Sequence, residues 1–401
     1  MQTPSIALNP HVSEYTSRDY AGSNPEGTVR IDCSLGVNSD PLGNCVFQKL
    51  HEFSQRTDSS LGNYADIKYY PHGNSLRDAL ANWYKYNGVG QDWITADHFI
   101  LGNGSYDILR GLNLLCLTHG KKVLGHAPQF TAYVDNVYCT DSVYCGCPME
   151  SLRNFKFEAE DYLARMTAEY SLFIVENPNN PTGQVVPLWK VEKIAQKALD
   201  LGRVLVLDEA YAEYMEFSNS AINLVPQYPN LIVTRSFSKG WGMAGVRLGY
   251  GVASNALGLL TQLEKLVLPF NSNGLARSLA QTALQTRLEN PQDPFGVLPV
   301  QRSKKQLLEA IQASNQRWGR ALKIAETDGN TPILMLYYLD GGPEFHLQCH
   351  LMQVGILTVT CQSYVGLDQR AVRLMLPEEH QLPLLVQLMD QAIQALPIAQ
   401  P

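Results

Sequence analysis

Short, continuous apolar runs alternate with stretches of helical periodicity through the middle of the chain. Phe99-Ile100-Leu101 leads into Gly102-Asn103-Gly104-Ser105 and a helix expected over 106–117. Lys122-Val123-Leu124 is followed by Pro128-Gln129-Phe130 and another helix. Leu172-Phe173-Ile174-Val175 precedes Asn177-Pro178-Asn179-Asn180-Pro181-Thr182-Gly183 and a helix over 188–201. Val204-Leu205-Val206-Leu207 stops at Asp208-Glu209-Ala210-Tyr211, and Leu231-Ile232-Val233-Thr234 stops just before Ser236-Phe237-Ser238-Lys239. Upstream, Leu76, Leu80, Trp83 and Tyr84 share one face of a helix over 75–86. Continuous apolar strands separated by helices predict an α/β fold with a largely parallel sheet covered on both faces.

Beyond about residue 275 the texture changes. Asn290-Pro291-Gln292-Asp293-Pro294 reads as a joint. A helix over 301–326, strands around 333–338, 355–360 and 371–376, and a last helix to Leu396 predict a smaller α+β domain. Near the start, Ile31 to Gly43 reads as a short strand running into a turn. The expected division is an arm with part of the small domain over 1–44, a large domain over 45–285 and a small domain over 286–401.

Composition narrows the function classes. The chain has 401 residues, 45% hydrophobic and 17% charged, which is ordinary for a globular enzyme. A net charge of −7 without any Lys/Arg run argues against a nucleic-acid footprint. No apolar stretch approaches the ~18 residues of a membrane span, and residues 1–10 lack a signal-peptide pattern. A soluble cytoplasmic protein is expected, with neither membrane nor nucleic acid as partner. The eight cysteines form no regular framework, and Cys145-Gly146-Cys147 lacks a second pair at zinc-site spacing. Reduced structural thiols and no metal site are expected.

The polar clusters carry the chemistry. In a parallel α/β sheet ligands bind at the carboxyl ends of the strands, and every cluster named above lies at such an end. A lysine amine is a nucleophile toward carbonyls once its pKa is lowered, and Lys239 is the candidate. With pyridoxal phosphate as electron sink, an acid must keep the ring nitrogen protonated, and Asp208 is suited to that. Tyr211 and Asn180 can donate to the ring's phenolic oxygen. A phosphate calls for backbone N–H groups at a helix start, hydroxyls and a cation, which Gly104-Ser105-Tyr106, Ser236, Ser238 and Arg247 offer. Phe130 can stack on the ring face. Taken singly these are an acidic pair, a turn and a core aromatic; their order and placement join them. Gly240-Trp241-Gly242-Met243-Ala244-Gly245 satisfies G-x-G-x-x-G, but it follows Lys239 directly, with no later strand closed by an acid. A nicotinamide cofactor is not expected.

From Ile31 to Met389 the chain resembles the pyridoxal-phosphate-dependent aminotransferases of the aspartate aminotransferase fold, fold type I. Within them it is similar to the branch of histidinol-phosphate aminotransferase and threonine-phosphate decarboxylase. The residues that carry this are Asn180-Pro181-Thr182-Gly183, Asp208-Glu209-Ala210-Tyr211, Ser236-Phe237-Ser238-Lys239 and Gly245-Val246-Arg247-Leu248-Gly249. The resemblance implies a mostly parallel seven-stranded sheet in the large domain. It implies that Lys239 forms the Schiff base and that Asp208 faces the ring nitrogen. Tyr211 and Asn180 would bind the ring oxygen, and Ser236, Ser238 and Arg247 the phosphate. It further implies a homodimer, with Tyr70 of Tyr69-Tyr70-Pro71 reaching the neighbouring subunit's phosphate. Arg373, in Val372-Arg373-Leu374, would pair bidentately with the substrate α-carboxylate.

Three departures bear on the substrate. Gly104-Ser105-Tyr106-Asp107 stands where the branch has Gly-Ala-Asp-Glu. Val359 stands where histidinol-phosphate aminotransferases carry an arginine for the substrate phosphate. The stretch 35–41 keeps the shape of a Leu-x-x-Asn-x-x-Pro signature with Gly36, Ser39 and Asp40 changed. A diverged, non-phosphorylated substrate is expected, with Tyr15, Asp40 and Asp107 as further substrate-side groups beside Asn180 and Arg373. The default reaction moves the amino group of an L-α-amino acid to a 2-oxo acid, with Lys239 as general base and acid. A lyase, a decarboxylase or a β/γ-elimination–cyclisation enzyme of a specialised pathway is the alternative, because one electron sink serves them all.

Overall fold

The computed structural model describes residues 25–34, 43–55, 69–268, 270–289, 291–292 and 295–398. Its first strand, β1 (Ile31–Asp32), stands apart from the main sheet. Strands β2 (Phe99–Gly102), β3 (Lys122–Ala127), β4 (Val143–Pro148), β5 (Tyr170–Glu176), β6 (Val204–Asp208), β7 (Leu231–Ser236) and β8 (Gly249–Ala253) make one sheet in the order β2-β8-β7-β6-β5-β3-β4. The pairs from β4 to β7 are parallel, whereas β8 runs antiparallel to both β7 and β2.

Alternate residues of the central strands feed two separate cores, as the period of a strand requires. Phe173, Val175, Leu205, Leu207, Leu231 and Val233 pack on one face with Val191, Ile194 and Ala198 of the helix Leu188–Asp200. Leu172, Ile174, Val206 and Ile232 pack on the other with Ile108, Leu109 and Leu112 of the helix Ser105–Cys116. Both faces are dry, so the strands read as unbroken apolar runs.

The later strands are β9 (Lys323–Ile324), β10 (Ile333–Tyr337), β11 (Ile356–Leu357), β12 (Val359–Thr360) and β13 (Ala371–Met375). Four of them form an antiparallel sheet in the order β12-β13-β10-β9, and β1 pairs in parallel with β11. A further core joins Ile31 and Cys33 to Leu334, Leu336, Val372 and Leu374, under the helices Val297–Trp318 and Leu382–Gln394.

Several expectations need correcting. The helix expected over 301–326 spans Val297–Trp318, because Gly319 turns left-handed (φ 59°) and its N–H bonds back to Asn315 O. The strand β4 holds Cys145-Gly146-Cys147, and β8 follows the glycine-rich stretch after Lys239; the sequence pattern announced neither. Glycines interrupt both, so neither shows an apolar run. β8 leaves the dinucleotide reading where it was, since it is antiparallel and ends at Ala253 rather than an acid. Tyr15 and Asp40 lie outside the described residues.

Candidate active site

Parallel strands aim their carboxyl ends in one direction, and the ends of β5, β6 and β7 open onto a cavity of about 430 Å³. It is lined by Gly104, Ser105, Tyr106, Phe130, Glu176, Asn180, Asp208, Tyr211, Ser236, Ser238, Lys239 and Arg247, with Arg373 contributed from β13 of the smaller sheet and Ser34 from just after β1. The residues assigned to the cofactor from the sequence thus meet in one place, apart from Tyr70.

At the acid end, Asp208 closes β6 and accepts from Thr234 Oγ1 at 3.0 Å. Burial raises its pKa to about 6, against the Thr234 hydroxyl, the Ala210 N–H and the Lys239 amine, which favour the charged form. Beside it sits Glu176, its Cα partner in the β5–β6 register. Glu176 is 2% exposed and gathers three donors: the Phe130 N–H at 2.9 Å, the Asn179 amide at 3.1 Å and the Asn180 N–H at 3.2 Å. One carboxyl thereby fixes Phe130 and Asn180 relative to each other. Burial and then the charge of Asp208 push Glu176 well above the carboxylate range. The sequence pattern contained the signal for Glu176, which closes β5 as Asp208 closes β6.

Asn180 Oδ1 accepts from the buried Tyr364 hydroxyl at 3.2 Å, which leaves the amide NH2 as the donor side. Tyr364 was not suggested by any sequence signal. The Tyr211 hydroxyl is buried without a hydrogen-bond partner among the described residues, and its ring lies 5.3 Å from Lys239 Nζ. Arg235 supports the lysine loop from behind, paired with Glu209 at 2.9 Å and Glu213 at 3.5 Å in a fully buried cluster. Trp241 Nε1 donates to Glu213 at 3.2 Å, so the residues after Lys239 are pinned to that cluster.

The opposite end is a cradle. Gly104 (φ 78°) precedes the helix Ser105–Cys116, whose opening N–H groups face outward as on any helix start. A Cβ on Gly104 would lie 2.7 Å from an Arg247 guanidinium nitrogen. A Cβ on Gly249 would lie 2.3 Å from Ser105 N, so only glycine lets the helix start rest on β8. Ser238 N–H donates to Ser236 Oγ at 3.0 Å, and Arg247 is held by Ala244 O at 3.0 Å. On the far wall Arg373 Nη2 donates to Ser34 O at 2.8 Å, while its Nε is buried without a partner among the described residues.

Two predicted residues are elsewhere. Asp107 is not among the residues lining the cavity; it accepts from Asn103 N–H at 3.1 Å and the Asn271 amide at 3.3 Å, tying the helix start to a neighbouring loop. Tyr70 is 73% exposed and stacks on Phe270 with ring centroids 4.4 Å apart. The cavity suits pyridoxal phosphate on its own terms: an anion cradle kept open by glycines, a buried orphan hydroxyl, a carboxyl for a ring nitrogen, and an amine for an aldehyde.

The sequence profile described as aminotransferase class I and II matches residues 31–383. Histidinol-phosphate aminotransferase 1 of Cupriavidus pinatubonensis is 34% identical over 284 residues, 70% of this chain and 68% of the relative. Histidinol-phosphate aminotransferase 2 of Nitrosospira multiformis is 30% identical over 256 residues, 63% of this chain but only 59% of the relative's own length. Among solved structures, aspartate aminotransferase from Thermus thermophilus with maleate gives a TM-score of 0.77 at 18% identity, covering 97% of this chain and 100% of that one. The histidinol-phosphate aminotransferase from Clostridium acetobutylicum gives 0.72 at 20% identity, covering 90% and 98%. At those identities the likeness is one of fold. The profile, spanning most of the chain and every strand described, shows that the protein belongs to the class I and II aminotransferases, enzymes that use pyridoxal 5'-phosphate.

Proposed function

We propose that the protein transfers the amino group of an L-α-amino acid to a 2-oxo acid, and that the side chain of its amino acid carries no phosphate. The observation that carries this reading is the meeting of Lys239, Asp208 and Arg373 around one cavity. Lys239 would hold the cofactor's aldehyde carbon, Asp208 its ring nitrogen, and Tyr211 and Asn180 its ring oxygen. The helix start at Gly104, Ser105 and Tyr106, with Ser236, Ser238 and Arg247, would hold its phosphate, and Phe130 its ring face. Bound there, the cofactor supplies an electron sink that makes the substrate Cα–H acidic. Lys239 Nζ, freed from the aldehyde carbon when the substrate's own amine takes its place, would take the Cα proton as base and return a proton as acid. Arg373 grips the α-carboxylate with the paired N–H groups that a lysine lacks, steadied by Ser34 O.

Val359 supports the non-phosphorylated substrate. It is the Cα partner of Arg373 across β12 and β13, where the resemblance expects an arginine for a substrate phosphate. The reading includes a homodimer in which Tyr70 serves the neighbouring site, supported by its exposure and its absence from its own cavity. It also divides the chain at 44/45 and 285/286, supported by the separate core that joins Ile31 and Cys33 to residues from 307 onward. A cytoplasmic location fits the seven unpaired cysteines whose side chains are described. Among the described residues no helix is long and apolar enough to cross a membrane.

The test is to offer the loaded protein a panel of amino acids and follow both the cofactor spectrum and the products. Conversion of the cofactor to its amino form with release of a 2-oxo acid is expected. Loss of ammonia, water or carbon dioxide without that conversion overturns the reaction, and a preference for phosphorylated substrates overturns the substrate.

A further inference from the structure

Away from the cavity, Lys304 on the helix Val297–Trp318 is fully buried. Its Nζ has five oxygens within hydrogen-bond distance: Thr327 Oγ1 and Asp328 O at 2.6 Å, Thr331 O at 2.8 Å, Ile333 O at 3.0 Å and Thr331 Oγ1 at 3.1 Å. None is a carboxylate oxygen. An ammonium has three hydrogens for these five acceptors, so the group is held as a small hard cation is held, by a shell of carbonyls and hydroxyls. Burial pulls the lysine down to about 7, with the charge of Asp328 opposing. A shell made only of acceptors favours the protonated amine further.

The same oxygens meet the turn that carries Asn180. A Cβ on Gly183 would lie 2.3 Å from Ile333 O and 2.7 Å from both Thr327 Oγ1 and Thr331 Oγ1. Gly183 O accepts from Thr331 Oγ1 at 2.8 Å and from the Asp328 N–H at 3.1 Å. Gly183 N–H in turn closes the turn onto Asn179 O at 2.8 Å. A single continuous network therefore runs from Lys304, through the loop before β10, to the residue beside Asn180.

We infer that Lys304 is a positioning residue: its ammonium is a built-in monovalent cation that organises the 327–333 loop and, through Gly183, sets Asn180 in the cofactor site. The cage stands on its own geometry, whereas the link to Asn180 rests on the cofactor assignment proposed above. Tethering the charge to a helix makes the fold independent of the ions in solution.

The experiment compares wild-type holoenzyme with K304A, K304M and T331V. Melting temperature and cofactor affinity, read from visible absorbance, are measured in chloride salts of equal ionic strength. The n-propylammonium ion replaces the atoms K304A removes, and tetramethylammonium is the control that cannot enter the shell or donate to it. K304A is expected to melt lower and to bind the cofactor about ten-fold more weakly, with both losses reduced by n-propylammonium and neither by tetramethylammonium. K304M fills the space without charge and should show the same losses without rescue. T331V, which removes one cage oxygen together with its hydrogen bond to Gly183 O and keeps the shape, should show a loss of the same kind in both melting and cofactor affinity and covers the case in which K304A does not fold. Wild-type behaviour of K304M, or losses in K304A that n-propylammonium leaves in place, overturns the cage. Rescue of melting with cofactor affinity unchanged throughout overturns the link to Asn180. Failure of the cofactor assignment itself shows separately, as absorbance of the bound cofactor unaltered in K239A.

Discussion

Asp208 holds its proton more tightly in the folded protein than in the unfolded chain, because burial outweighs the hydroxyl and N–H that favour its charge. With a folded pKa raised to about 6, its contribution to stability is full below the unfolded carboxylate value and is lost as pH rises through about 6. In cofactor-free protein this amounts to up to about 3 kcal/mol between roughly pH 4 and pH 7. Denaturant unfolding of wild type and Asp208→Asn across that range should show the wild type losing more; parallel curves would falsify the assignment of a raised pKa. Asp208 and Lys239 were legible in the sequence because each sits just beyond an apolar run. Tyr364 was not, since it reaches Asn180 across 184 residues and no local pattern encodes such a contact. Tyr364→Phe removes that hydrogen bond and should lower kcat/KM about ten-fold, in steady-state kinetics with any accepted amino acid. Unchanged kinetics would mean that Asn180 is held well enough by Glu176 alone.

At the scale of elements, the parallel strands and their helices could be read because both faces are dry and the apolar runs unbroken. β4 and β8 escaped because their glycines serve neighbours rather than the run: a Cβ on Gly146 would lie 2.6 Å from Ala127 Cβ, and one on Gly249 would strike the start of the helix Ser105–Cys116. The second contact predicts a sharp effect. In Gly249→Ala the added methyl meets only backbone atoms, Ser105 N, Gly104 C and Arg235 O, none of which can swing aside. Overpacking of this kind costs about 1–3 kcal/mol, and here the displaced element is the anion cradle. The variant should melt lower and release its cofactor on gel filtration, whereas Gly245→Ala, with open space at its Cβ, should keep it. Retention of cofactor by the first variant would place the phosphate elsewhere.

At the scale of the whole molecule, the expected α/β fold with a smaller α+β unit agrees with the seven-stranded and four-stranded sheets, whereas the separate pairing of β1 with β11 joins Ile31 to Ile356, residues far apart in the chain. The short strand at Ile31 was legible in the sequence, but its partner was not, because no local pattern encodes a pairing so distant. The reach of Tyr70 is testable by mixing subunits. Lys239→Ala and Tyr70→Ala homodimers should each be inactive or nearly so. If Tyr70 serves the partner's site, re-equilibrated mixtures recover about one quarter of wild-type activity, because half the dimers are mixed and one of their two sites is intact. No recovery would place Tyr70 in its own subunit's site or in none. The hold on Arg373 has a different kind of consequence. Its anchor is the main-chain carbonyl of Ser34, at the end of the short β1–β11 pairing. A carbonyl is the same whatever residue bears it, so the anchor of Arg373 does not depend on which side chain stands at position 34. Under the proposed role of Arg373, changes in that side chain are thereby uncoupled from the hold on the α-carboxylate, so selectivity could diverge while the substrate class is kept.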